Sequence, residues 1–150
     1  MENNNDASKA RVLLVEDNAQ DAELAMHALK EHNLADDVTW VKDGAQALDF
    51  VFAQGVYAGR SLSSQPKIIM LDLKMPKISG LEVLAKIKAD ERTRNIPVLI
   101  LTSSQEDSDL KKAYDLGANS YVVKPVDFNN FSRSVADAGL YWLILNKTTS

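Results

Sequence analysis

Four places in the chain carry residue types that could do chemistry together. They are Glu16-Asp17, Asp72, Thr102-Ser103 and Lys124-Pro125, and each directly follows a short apolar run. Three carboxylates crowded at one point repel, so at least one has a raised pKa unless a cation joins them. Oxygen ligands without His or Cys suit a hard divalent ion such as Mg2+, which keeps several waters at a half-open site. Beside a held metal, an Asp carboxylate can attack a phosphoryl group and form an acyl phosphate. A Lys ammonium and a Thr hydroxyl stabilise the charge on the oxygens being transferred. Taken singly, each piece has a plainer reading. Glu16-Asp17 suits a helix N-terminus, Asp72 the start of a loop, Thr102-Ser103-Ser104 a helix cap, and Lys124-Pro125 a strand ending at proline. Joint placement is what would make a site of them.

The elements supply that placement. Val12–Val15, Ile68–Leu71 and Val98–Leu101 are continuous apolar runs, as expected of strands buried on both faces of a parallel sheet. Val38–Val41 and Tyr121–Val123 are β-rich and shorter, and read as strands too. Between them, residues 19–31, 44–53 and 80–89 place apolar side chains at helical spacing. Ser104 is expected to cap a helix carrying Leu110, Ala113, Tyr114 and Leu116, with Gly117 at its C-terminus. Asp127 is expected to cap a last helix over 128–146. Strict β-α alternation with short loops forces parallel strands and right-handed crossovers. Five such units predict an α/β, doubly wound (βα)5 sheet, because an eightfold barrel needs about 250 residues. Sites in such sheets lie at the carboxyl ends of the strands, where all four places fall. The one long connection, Gly55–Gln65, is expected to be an extended surface loop.

Composition narrows the function. The chain has 150 residues, 45% of them hydrophobic, no Cys and a formal net charge of −4. That length suits one domain, with enough surface buried to need no disulfide or metal staple. Without Cys there is no disulfide framework, thiolate zinc site or cysteine nucleophile, and a reducing cytoplasm is the expected location. No basic block suggests nucleic acid, no apolar run approaches a membrane span, and the polar N-terminus is not a signal peptide. Residues 1–9 are expected to be a disordered tail, 10–146 the domain and 147–150 a short C-terminal tail. No Gly-x-x-x-x-Gly-Lys-Ser/Thr or Gly-x-Gly-x-x-Gly loop offers a phosphate cradle for a nucleotide.

The set Glu16-Asp17, Asp72, Thr102 and Lys124-Pro125 resembles the receiver domain of two-component response regulators. Leu71-Asp72-Leu73-Lys74-Met75-Pro76-Lys77-Ile78-Ser79-Gly80 is similar to that family's phosphoacceptor loop. The resemblance covers about residues 10–146 and implies a flavodoxin-like strand order, 2-1-3-4-5. It implies Asp72 as phosphoacceptor, and Mg2+ held by Glu16, Asp17, Asp72 and the backbone carbonyl of Lys74. It further implies Lys124 paired with the phosphoryl oxygens, a cis bond before Pro125, and a coupled Thr102/Tyr121 switch. That switch would reshape the face made by helix four, strand five and helix five. The long loop before strand three, Arg92–Pro97, Gly117–Tyr121 and Gly139–Leu143 resemble single-domain regulators related to those partnering bacterial phytochromes. The implied partner is a sensor histidine kinase, phytochrome-like or hybrid. The protein would then be a phosphorelay switch that catalyses only its own phosphorylation and dephosphorylation, with its own surface as output. The alternative is a phosphorelay intermediate that passes the phosphoryl to a histidine phosphotransfer protein. A phosphatase of the haloacid dehalogenase type needs a second Asp two residues after the nucleophile, and Lys74 stands there.

Some residues fall outside this scheme. His27 and His32 are expected on a solvated helix face, and Met70 in the core. In the last helix Phe128, Phe131, Val135, Ala138, Trp142 and Leu145 form one apolar stripe, as a core-facing helix should. Leu140, Tyr141, Leu143 and Ile144 add apolar surface on other sides. Either the tail folds back onto its own domain, or the protein is a homodimer through helix five, which is the expectation favoured here. Gly139 weakens a continuous helix by roughly 1 kcal/mol relative to Ala and suggests a bend.

Overall fold

The computed structural model describes residues 12–145; the expected tails, and the last residue of the expected final helix, lie outside these. Along the chain run β1 (Val12–Val15), α1 (Ala19–Glu31), β2 (Val38–Val41), α2 (Gly44–Val51), β3 (Ile68–Asp72) and α3 (Gly80–Ala89). They are followed by β4 (Val98–Thr102), α4 (Asp109–Leu116), β5 (Ser120–Val123), α5 (Phe128–Asp137) and a short α6 (Trp142–Leu145). The five strands are all parallel, in the order β2-β1-β3-β4-β5. This is the expected doubly wound sheet. β1, β3 and β4 are buried along their whole length, which is why they read as unbroken apolar runs.

Alternate residues of each strand feed two cores. Leu13, Val15, Ile69, Leu71, Val98 and Ile100 pack against α2, α3 and α4 through Phe50, Val83, Leu84 and Leu110. Val12, Leu14, Ile68, Met70, Leu99 and Leu101 pack on the other face against α1 and α5 through Ala25, Leu29, Phe131 and Val135. Met70 is fully buried, as expected. The two-residue period of the strands thus assigns each side chain to one face.

The structure departs from expectation in four places, each for a local reason. α4 starts at Asp109, not near Ser104. Ser104 Oγ instead accepts the Glu106 N–H at 3.0 Å, closing a separate turn ahead of the helix. α5 ends at Asp137 instead of running on to 146, because Gly139 adopts φ 71° and the Leu140 N–H bonds back to Val135 O at 2.8 Å. That is a left-handed helix cap, a role in which glycine is favoured. Beyond the cap Leu140 and Leu143 turn into the α1/α5 core, while Tyr141 and Trp142 remain exposed. The tail therefore folds back on its own domain. Phe128 and Trp142, both exposed, leave the expected stripe, and the Leu145 side chain lies outside the described residues.

His32 is the third departure. It is buried, with its ring stacked on Phe128 at 4.1 Å between centroids and Nε2 3.1 Å from Ser132 Oγ. His27 is exposed, as expected. The fourth is the Gly55–Gln65 connection, which is anchored and not merely extended. Arg60 is buried with its guanidinium 3.7 Å over the Phe50 ring, and it donates to the carbonyls of Phe50 and Ser64. No helix among the described residues is long and apolar enough to cross a membrane.

Candidate functional site

The site lies at the carboxyl ends of the paired strands β1 and β3, where the chain leaves β1 toward β2 on one side and β3 toward β4 on the other. That reversal opens a crevice at the strand ends. Glu16 follows β1 and is fully buried; Asp72 is the last residue of β3 and is 3% exposed. The exposed Asp17 completes a group whose carboxylate oxygens lie within 4.8 Å of one another.

Backbone contacts hold each acid in place. Glu16 N–H donates to Val41 O at 3.1 Å, and the indole of Trp40 donates to Glu16 O at 2.8 Å. Asn18 caps α1 by accepting the Asp21 N–H at 2.9 Å, and its own N–H donates to Glu16 Oε2 at 3.0 Å. Asp72 Oδ1 accepts the Lys74 N–H at 3.0 Å. The turn after Asp72 closes with the Gly80 N–H on Leu73 O at 3.0 Å, and a Ser79/Glu82 capping box then starts α3.

Lys124 reaches across from β5. Its Nζ lies 3.1 Å from Glu16 Oε1, 3.2 Å from Asp72 Oδ2 and 3.3 Å from Asp21 Oδ2. The Lys124-Pro125 bond is cis, as the family resemblance implied. Asn130 Nδ2 fastens this segment by donating to Val123 O and Pro125 O. Thr102, 3% exposed at the end of β4, donates to Ser104 O at 3.0 Å and faces Asp107 Oδ2 at 3.5 Å. Tyr121 is half-buried, with its hydroxyl 3.4 Å from Gln105 Oε1. It borders an open groove of about 380 Å3 between β5 and α5, lined also by Lys124, Asn130, Arg133 and Asp137. The expected residues thus come together, with Tyr121 on the neighbouring groove.

The electrostatics follow from burial. Desolvation pushes the Glu16 carboxyl up to about 7 and the negative Asp72 adds to this, against the Asn18 hydrogen bond and Lys124. Burial alone would lower Lys124, but Asp72 and Glu16 outweigh it and hold the ammonium above its ordinary value. Glu16, Asp17 and Asp72 set three carboxylates against the Lys124 ammonium, and their donors are hard oxygens. That set fits a divalent cation of the Mg2+ kind.

Two site residues carried no sequence signal. Asp21 on α1 joins Lys124, and Trp40 on the exposed side of β2 holds the Glu16 carbonyl. Neither sits at a strand end or in a motif, and each is placed only by the closed fold.

Such a crevice, on such a sheet, is that of a phosphoacceptor domain. The response regulator receiver domain family matches residues 12–136, and the chain belongs to it. A probable methanogenesis regulatory protein, FilR2 of Methanothrix harundinacea, is 43% identical over 138 residues, 91% of this chain and 86% of that protein. Response regulator Rcp1 of Synechocystis is 35% identical over 132 residues, 88% of each chain. The Mn(2+)-bound form of Rcp1 matches with a TM-score of 0.70 at 34% identity, covering 88% of this chain and 93% of that one. The bacteriophytochrome response regulator RtBRR matches with a TM-score of 0.82 at 48% identity, covering 89% of this chain and 80% of that one. The protein is a response regulator of phosphorelay signalling, similar to stand-alone regulators of phytochromes. Its class acts as a phosphoacceptor switch whose partner is a sensor histidine kinase.

Proposed function

We propose that Asp72 accepts a phosphoryl group from a kinase phosphohistidine and that the chain signals through a conformational change at the β5/α5 groove. The observation that carries this is the Lys124 ammonium 3.2 Å from Asp72 Oδ2, beside the three-carboxylate cluster. An Asp72 carboxylate oxygen attacks phosphorus, the P–N bond breaks, and its electron pair leaves with the imidazole. Lys124 stabilises the transferred oxygens. Glu16, Asp17, Asp72 and the Lys74 backbone carbonyl would hold Mg2+, which when bound neutralises their charge and polarises the phosphoryl oxygens. The same chemistry serves self-catalysed phosphorylation from small phosphodonors and hydrolysis by water.

Thr102 would exchange its bond to Ser104 O for one to the phosphoryl, and Tyr121 would leave Gln105 and follow inward. The functional unit is the domain of residues 10–146, in the cytoplasm, served by a phytochrome-like or hybrid kinase. With Leu140 and Leu143 in the core, a homodimer through the helix-five side rests on the exposed Tyr141 and Trp142. Light scattering at tens of micromolar tests it, and a strict monomer with and without phosphorylation refutes it.

Incubation with Mg2+ and acetyl phosphate should label the parent and not Asp72→Asn. Equal labelling of the two by intact mass spectrometry would overturn the assignment.

A further inference from the structure

Lys124 is shared among three carboxylates, and only two of them belong to the cation cluster. The third, Asp21, stands in the first turn of α1 with its side chain 31% exposed and its Oδ2 3.3 Å from Lys124 Nζ. Glu16 and Asp72 are each asked to serve two cations, the ammonium and the divalent ion. A divalent ion that takes oxygens of both repels the ammonium, and Asp21 is the one of its three partners outside the ion's carboxylate cluster.

We propose that Asp21 is a positioning residue for phosphoryl transfer: it draws the Lys124 ammonium aside and offsets its charge while the divalent ion binds. The inference rests on the reading of this cluster as a Mg2+ and phosphoacceptor site. It makes two predictions of opposite sign. Without the Asp21 charge, Lys124 bears more fully on Glu16 and Asp72, so Mg2+ binds less tightly. Once the ion is bound, Lys124 is needed by an incoming anion. Asp21 then competes for the ammonium and repels the anion, so its removal favours a phosphoryl analogue. One unit charge acting on a divalent ion across a part-solvated gap of several Å changes its affinity by about three- to tenfold.

The probes are MgCl2 alone, followed by beryllofluoride at saturating Mg2+, both titrated calorimetrically into the full chain. Asp21→Asn keeps the side-chain shape and removes the charge. Glu23→Gln removes an equal charge two residues along α1, on another helix face, and reports the long-range field. Asp21→Glu restores the charge on a longer arm and should recover Mg2+ affinity toward the parent. The expected result is a Mg2+ Kd raised about three- to tenfold in Asp21→Asn and within about twofold in Glu23→Gln, with beryllofluoride bound more tightly in Asp21→Asn than in the parent. A site loosened by the substitution would lose both affinities together, and that outcome overturns the proposal. So does a Mg2+ Kd in Asp21→Asn equal to that of Glu23→Gln. If the parent itself binds no Mg2+, the reading of the whole cluster fails and this inference with it.

Discussion

The buried Glu16 makes a quantitative prediction about stability and pH. Its carboxyl moves from an ordinary 4.5 to about 7 on folding. A carboxyl raised in the folded state destabilises the fold when it ionises. The stabilising contribution is complete below pH 4.5 and is lost as pH rises through 7. Ionisation in the folded site therefore costs about 3 kcal/mol more than in the unfolded chain. Glu16→Gln mimics the protonated form at every pH. In the metal-free protein with chelator present, its stability should gain on the parent by about 2–3 kcal/mol between roughly pH 5 and pH 8. Urea denaturation of both proteins across that range reads the difference, and the carboxylates remote from the site cancel. Saturating Mg2+ favours the ionised form and should stabilise the parent more than the variant, closing or reversing the gap at about pH 8. A gap that stays constant from about pH 5 to pH 8 would refute the reasoning.

Other substitutions test the frame around the site. An added Cβ at Gly80 would meet Asp72 O and lie 2.5 Å from Leu73 Cα, so Gly80→Ala should lose about 1–3 kcal/mol, and an unchanged denaturation midpoint would contradict the close approach. Leu143 is fully buried and Tyr141 57% exposed. Leu143→Ala should lose about 2–5 kcal/mol and Tyr141→Ala no more than about 0.5, whereas similar losses would mean that the tail is not packed as described. Thr102→Ala should lose about 1 kcal/mol of stability and still label at Asp72, while the Tyr121 ring signal moves less on adding beryllofluoride than it does in the parent in NMR spectra. A parent-like shift of that signal in Thr102→Ala would remove Thr102 from the switch.

The parts legible in the sequence share one physical basis. β1, β3 and β4 are buried on both faces, so their apolar runs stop where the backbone reaches the crevice and polar chemistry begins. Asp72 and Thr102 mark those ends directly. Asp21 was not legible, because its partner lies 103 residues away in sequence and a helix-start Asp is commonplace. His32 read as solvated because the helix that covers it, α5, is distant in sequence and brings Phe128 across the ring. Gly139 could be weighed as a weak helix residue, but its role as a left-handed cap depends on the Leu140 N–H finding Val135 O. That contact reverses the chain and exchanges Trp142 for Leu143 in the core. Ser104 had the right residue type for a cap, but the loop takes its own turn first and Asp107 accepts the Asp109 N–H at 2.9 Å.

The magnitudes also limit which residue can drive the proposed switch. Thr102 would give up a neutral hydrogen bond to Ser104 O for a charge-assisted one to the phosphoryl, a net gain of about 1 kcal/mol. That shifts a two-state population by about fivefold, whereas moving it from one in a hundred to ninety-nine in a hundred needs about 5.5 kcal/mol. Thr102 alone therefore cannot throw the switch. Tyr121 adds little driving force, since its hydroxyl leaves only a 3.4 Å contact with the exposed Gln105. Lys124 is the remaining group whose interactions change enough. Its ammonium is divided among three carboxylates, is largely shielded from solvent, and belongs to the residue directly after the strand that carries Tyr121. A phosphoryl on Asp72 would concentrate two negative charges on one of those partners, so the pull on β5 would come chiefly through Lys124, with Thr102 passing it to the β4–α4 loop.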